Sequence, residues 1–154
     1  MLSKEEQKQK NKEFWDGYKQ FMRGVSSSNG RRMNWINYPT DVKDLYVRLE
    51  VSHKGCSVNF DIQPKDASIR EVIWEQMGEL RVVLEKTMNY ETFWDERYFG
   101  PTNMESSRIS WRNDELNYFK EDDIPKIYAF LKARLLAFDE FYQEYKDILI
   151  ALTD

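Results

Sequence analysis

The chain has 154 residues, 15% of them aromatic, which is length and apolar material enough for one domain with a core of its own. One cysteine, Cys56, excludes an intramolecular disulfide, and the one histidine, His53, falls in the expected turn Ser52-His53-Lys54-Gly55, which argues against His-Cys zinc sites and Ser-His-Asp triads. The net charge of −4 argues against a general nucleic-acid coat, although residues 1–65 carry 12 Lys and Arg against 8 acids and residues 66–154 carry 11 against 19.

The opening segment MLSKEEQKQKNKEF is charged where a leader peptide would be apolar, and no apolar run approaches the roughly 20 residues of a membrane span. The expected setting is therefore the cytoplasm, with no membrane. Lys4 to Gly24 reads as a helix, with Phe14, Tyr18, Phe21 and Val25 on one stripe. The polar run Ser26-Ser27-Ser28-Asn29-Gly30 supplies a loop, too short to divide domains. Arg31 to Tyr38 is a short aromatic segment with weak strand character, closed by Pro39.

The clearest strand signal follows. Apolar and polar residues alternate through Leu45–Val51 and again through Cys56–Gln63, with a turn between them. The inward set is odd-numbered in the first run and even-numbered in the second. Facing residues must therefore have numbers with an odd sum. That parity puts Asp44, Tyr46, Arg48 and Glu50 on the same outward face as Asn59, Asp61, Gln63 and Lys65.

A second helix is expected over Ala67 to Met88, capped by Ser68 with Glu71 or one turn earlier by Asp66, and buried along Ile69, Ile73, Met77, Leu80 and Leu84. Two strands follow, Thr92 to Phe99 and Ser107 to Arg112, joined by the turn Gly100-Pro101-Thr102-Asn103. A last helix opens near Pro125 and runs through Ile127, Leu131, Leu135, Phe138, Tyr142, Tyr145 and Leu149. At ~45 Å it outruns a small domain, so it must break, or overhang and bury Tyr142, Tyr145, Ile148 and Leu149 against a second copy. The predicted fold is a single α+β domain over 1–154. It is a two-layer sandwich in which a mostly antiparallel sheet is covered by three helices, in the order α-(β)-β-β-α-β-β-α.

Chemistry is sparse. There is no Gly-rich phosphate loop and no dinucleotide fingerprint, and no cofactor or metal is expected. Antiparallel pairing brings Asp44 beside Gln63 or Lys65, and a carboxylate facing a (D/E/Q)-x-Lys tripeptide is the layout of PD-(D/E)XK nucleases. Asp44, Asp61, Gln63 and Lys65 are accordingly weak catalytic candidates, against the plainer reading of cross-strand pairs such as Arg48 with Asp61. Arg31, Arg32, Asn34, Trp35, Asn37, Lys43, Arg48 and Lys65 are candidates for binding nucleic acid or a protein partner: cations for phosphate, an aromatic ring for stacking, amides for base edges. The plainer alternative puts Trp35 and Tyr38 at the edge of the core.

The runs Asn34-Trp35-Ile36-Asn37-Tyr38, Val42-Lys43-Asp44-Leu45-Tyr46, Asp61-Ile62-Gln63-Pro64-Lys65-Asp66, Ile69-Arg70-Glu71 and Phe138-Asp139-Glu140-Phe141 resemble the bacterial domain of unknown function 4268 family, from Phe14 to about Leu149. In that family the positions of Gln63 and Pro64 often carry Glu and His. Many relatives have this domain C-terminal to a restriction-endonuclease-like domain. The resemblance therefore implies an accessory or interaction domain with DNA-processing or defence-type neighbours. The two other readings are a Mg-dependent nuclease and a structural homo-oligomer paired through the last helix.

Overall fold

The computed structural model describes residues 2–153. Helix α1 (Lys4–Phe21) begins at a capping box, in which Ser3 and Glu6 satisfy each other's backbone N–H groups, and it buries Phe14 and Tyr18. It ends three residues earlier than Gly24, and Phe21, expected on the buried stripe, is exposed. Strands β1 (Leu45–Ser52) and β2 (Gly55–Ile62) form the hairpin around the two-residue turn His53-Lys54. Leu45 faces Ile62 and Arg48 faces Asn59, the odd-sum register that the alternation predicts. Gly55 sits at φ 153°, and a Cβ there would lie 2.6 Å from the Asn113 carbonyl oxygen, so the turn admits only glycine without displacing the neighbouring strand.

The expected second helix is two. α2 (Ala67–Glu79) is capped by Asp66, which accepts from the Ser68 N–H at 2.8 Å, and α3 (Arg81–Met88) follows after Leu80. At Leu80 the backbone leaves helical geometry and its N–H is shared between the Gln76 and Met77 carbonyls, two residues beyond Gly78. Glycine is a poor helix former, and here the ladder slips rather than continuing. Ile73, Met77 and Leu84 are fully buried as expected, whereas Ile69, on the first turn, is exposed. Trp74, off the main stripe, packs edge-on against Trp94.

Strands β3 (Phe93–Phe99) and β4 (Glu105–Asn113) complete an antiparallel sheet of order β1-β2-β4-β3, with a register shift between Asp95 and Tyr98. Arg31 to Tyr38 contributes only isolated bridges, Ser26 to Arg32 and Tyr38 to Val47, and is not a strand. A 3-10 turn (Glu121–Asp123) leads into α4 (Ile124–Thr153), an unbroken helix of 30 residues.

One face of the sheet carries Val58, Phe60, Ile62, Ile109 and Trp111, and α4 lays Phe138 against Phe60 and Trp111 at ring-centroid distances of 5.2 and 5.9 Å. α1 packs on α4 where Gly17 leaves room for the Tyr128 ring, whose hydroxyl donates to the Phe14 carbonyl at 2.6 Å. The final helix does not overhang as expected. Tyr142 and Leu149 are buried without a second copy, and Tyr142 donates to the Thr40 carbonyl at 2.6 Å where the loop before β1 meets the helix. Only Ile148 and Leu152 are exposed large apolar residues on its last turns.

Candidate functional site

The outward face of the sheet is where the hairpin parity gathers charge. Asp61 projects there from the middle of the sheet and is 1% exposed. Arg108, arriving from β4, grips it with Nε at 2.7 Å and Nη2 at 3.0 Å, and also reaches Glu50 at 3.0 Å. Arg48 adds a third donor to Asp61 at 3.0 Å and donates to Gln63 Oε1 at 2.7 Å. Each guanidinium lies over an aromatic ring, Arg48 on Tyr46 and Arg108 on Tyr98. Burial alone would weaken the charge on Arg108, but its hydrogen bonds to Asp61 and Glu50 outweigh that and hold its pKa above the ordinary guanidinium value. The result is a closed ionic cluster in which both oxygens of the central carboxylate are occupied.

The four residues of the nuclease layout are only partly assembled. Asp61 and Gln63 meet through Arg48. Asp44 pairs with Gln63 through its backbone carbonyl at 2.8 Å, but it has φ 64° and precedes the strand, so the pleat does not aim its side chain. Lys65 lies beyond Pro64 with its side chain exposed. Among the described residues no group of three or more His, Cys, Asp or Glu side chains comes close enough to hold a metal ion. Lys43 is exposed on the loop before β1.

The second region is the segment between α1 and β1. From Gly17 to Thr40 the sequence contains no acid and four cations, Lys19, Arg23, Arg31 and Arg32. Ser27 and Gly30 fold this stretch back on itself: the Ser27 N–H donates to the Arg31 carbonyl at 2.8 Å and the Gly30 N–H to the Ser27 carbonyl at 2.9 Å. All four cations are exposed, and none forms an ion pair among the described residues.

Trp35 is not an exposed stacking platform. Its ring is 5% exposed and its Nε1–H donates to the Val25 carbonyl at 2.8 Å, the core-edge placement of the plainer alternative. Asn34 spends its side-chain oxygen on the N–H groups of Ile36 and Asn37, at 3.0 and 2.9 Å, shaping the turn. Asn37 is exposed.

Beneath this loop lies Asp139 of α4, 0% exposed. It accepts from the Tyr38 hydroxyl at 2.6 Å, the Ser27 hydroxyl at 2.8 Å, the Ser28 N–H at 2.7 Å and Gln143 at 3.3 Å. Burial, and then the hydrogen bond to Asp139, push the Tyr38 phenol well above its ordinary pKa. This carboxylate is met by neutral donors only and pins the basic loop to the last helix.

Between the pinned loop and the end of α1 opens a cleft of about 630 Å³. Lys19, Arg23 and Arg32 stand around it and Met22, Met33 and Trp35 supply apolar wall. Tyr18 also lines it, 0% exposed, and its hydroxyl is the one buried side-chain oxygen among the described residues without a hydrogen-bond partner.

Sequence reasoning placed Arg31 and Arg32 in this region but missed Lys19, Arg23 and Tyr18. The acid-free stretch 17–40 was the available signal. Nothing in sequence spacing marked Arg108 as the partner of Asp61, because that pairing joins residues 47 positions apart.

No curated protein and no solved structure matches the chain. The family model described as "Domain of unknown function (DUF4268)" matches residues 10–146, nearly the whole of the 154-residue chain, and so includes most of α1, the basic loop, the sheet and most of α4. The chain belongs to the DUF4268 family.

Proposed function

We propose that this chain is a non-catalytic accessory domain that binds the phosphate backbone of nucleic acid through the basic surface around Lys19, Arg23, Arg31 and Arg32. The observation that carries the reading is a contrast in pairing. Asp61 and Glu50 on the sheet face are paired with arginines, whereas these four cations stand exposed and, among the described residues, unpaired. Unpaired exposed cations can release counterions from a nucleic acid without first breaking an internal bond. The expected family setting, beside DNA-cleaving domains, agrees with an accessory role of this kind.

The nuclease reading finds less support. A metal-holding Asp61 would have to surrender Arg108 and Arg48, and removing a partner from a buried ion pair costs about 3–5 kcal/mol. The two readings give opposite results in one experiment. Purified protein with Mg²⁺ or Mn²⁺ is expected to retard DNA or RNA in a gel and leave it intact. Metal-dependent cleavage that is lost in Asp44→Ala or Lys65→Ala would overturn the proposal.

A further inference from the structure

We propose that the outward face of the sheet holds a binding site for a small uncharged ligand with an amide edge, an N–H beside a C=O, recognised by Asn59, Ser57 and Ser110. The site uses none of the four loop cations and stands or falls apart from the nucleic-acid reading. It is a cavity of about 480 Å³ beside the ionic cluster, within the range of small-molecule sites. Asn59 and Ser110 face each other across the β2–β4 pair and both line it, although only 1% and 7% exposed.

The orientation of Asn59 is fixed by its partners. Its Nδ2 donates to the Arg48 carbonyl at 3.1 Å and to the Ser57 hydroxyl oxygen at 3.0 Å, which spends both amide protons and leaves Oδ1 as a free acceptor. Ser57 receives that bond, so its own proton is free to donate. Among the described residues neither Asn59 Oδ1 nor the Ser110 hydroxyl has a partner in the protein, and the Tyr18 hydroxyl is the one oxygen that is both unpartnered and sealed. The Asn59 and Ser110 oxygens are therefore open to the cavity that both residues line. Buried polar groups are almost always satisfied, and these two can be satisfied only from the cavity side.

The floor thus sets a fixed acceptor next to a fixed donor, and an amide edge presents the complementary pair. Two acids, Glu50 and Asp95, and two arginines, Arg108 and Arg112, line the wall, so the cavity has no net charge with which to hold an ion. A carboxylate would bring no donor for Asn59, and a charged amine no acceptor for Ser57. Phe93 and Tyr98 also line the cavity, but each already carries a guanidinium on its ring, so hydrogen bonding at the floor rather than stacking supplies the recognition. A nucleobase such as uracil and a carboxamide such as nicotinamide both offer this edge.

The test is an amide-proton NMR titration of the full chain with uracil, nicotinamide, their counterparts 1,3-dimethyluracil and nicotinate, and glucose. Uracil or nicotinamide is expected to saturate below about 10 mM, weak as suits a ligand of this size, with shifts centred on Asn59 and Ser110. Its counterpart, which lacks the N–H, should bind at least about tenfold more weakly. Ser110→Ala breaks no side-chain hydrogen bond within the protein, so its melting temperature should match the wild type while affinity falls several-fold. Saturation by uracil alone identifies a base, by nicotinamide alone a carboxamide, and by both the shared edge. The proposal is overturned if neither saturates, if the shifts lie away from β2 and β4, or if a counterpart binds as well as its parent. Wild-type affinity or a lowered melting temperature in Ser110→Ala would assign that hydroxyl to the scaffold and overturn it too. So would glucose binding more tightly than both amides, which would mark the cavity as a site for hydroxyl groups instead.

Discussion

The sheet face and the basic loop hold arginines of identical chemistry in opposite circumstances. On the sheet, Arg108 and Arg48 enclose Asp61 and lie over tyrosine rings, and Glu50 and Gln63 take up further donors. On the loop, Arg23, Arg31 and Arg32 meet no acid among the described residues. A charge already answered inside the molecule holds strands together and has little left to offer a ligand. An unanswered one contributes little to the fold and keeps its full capacity for a partner. Polar side chains on a strand face are therefore a poor guide to function until their partners are known.

The largest expected effect belongs to the sheet. Asp61→Ala strands the Arg108 guanidinium in a buried site and should cost about 3–5 kcal/mol, read as a lowered denaturant midpoint. The folded fraction should bind nucleic acid as well as the wild type does. Loss of binding in the folded variant would break the comparison.

Asp139→Ala comes next and links the two regions, because Asp139 anchors the loop that bears the cations. Removing it leaves the Ser27 and Tyr38 hydroxyls and the Ser28 N–H without their acceptor, at a cost of roughly 3 kcal/mol. This variant should lose both stability and nucleic-acid affinity, the latter measured below its melting temperature. Retained affinity would show that the loop holds its shape without the anchor.

A smaller effect is expected from alkali. Burial raises the pKa of Tyr18, Tyr38 and Tyr142 above the ordinary phenol value near 10. The unfolded chain therefore releases these protons first. The stability they contribute is fully present below about pH 10 and declines as pH rises further, by at most about 1.4 kcal/mol per pH unit for each phenol. Burial likewise pushes the Cys56 thiol up to about 12, so thiol reagents should label it slowly at neutral pH and rapidly once the chain unfolds. Fast labelling of the native protein would contradict its buried placement.

The smallest stability effect is expected at the cleft. Arg23→Ala and Arg32→Ala should each change unfolding free energy by no more than about 0.5 kcal/mol, since exposed unpaired side chains support little structure. A larger drop in the denaturant midpoint of either variant would mean that the loop cations help to hold the fold.

Much of the scaffold was legible because its signals are local. Strict alternation set the register of the β1–β2 hairpin through parity alone, and helical spacing picked out Ile73, Met77, Leu131 and Phe138 as core. The break at Leu80 was hidden because the apolar stripe continues on both sides of it, so periodicity reads straight through a junction that backbone hydrogen bonding interrupts. The candidate site was less legible. Trp35 beside two arginines has the composition of a nucleic-acid motif, yet its indole N–H is claimed by the Val25 carbonyl of the folded-back loop. Asp139 joins Ser27 across 112 positions of sequence, and the isolation of the Tyr18 hydroxyl is defined by what surrounds it in space.

The most direct test of the central contrast is the salt dependence of binding to a labelled single strand, measured by fluorescence anisotropy for the wild type and the Arg23→Ala/Arg32→Ala double variant. If these cations neutralise phosphates, the slope of log affinity against log salt concentration should fall by about 1.4 in the double variant, roughly 0.7 for each phosphate left without its arginine on a single strand. A slope unchanged from the wild type would contradict the account.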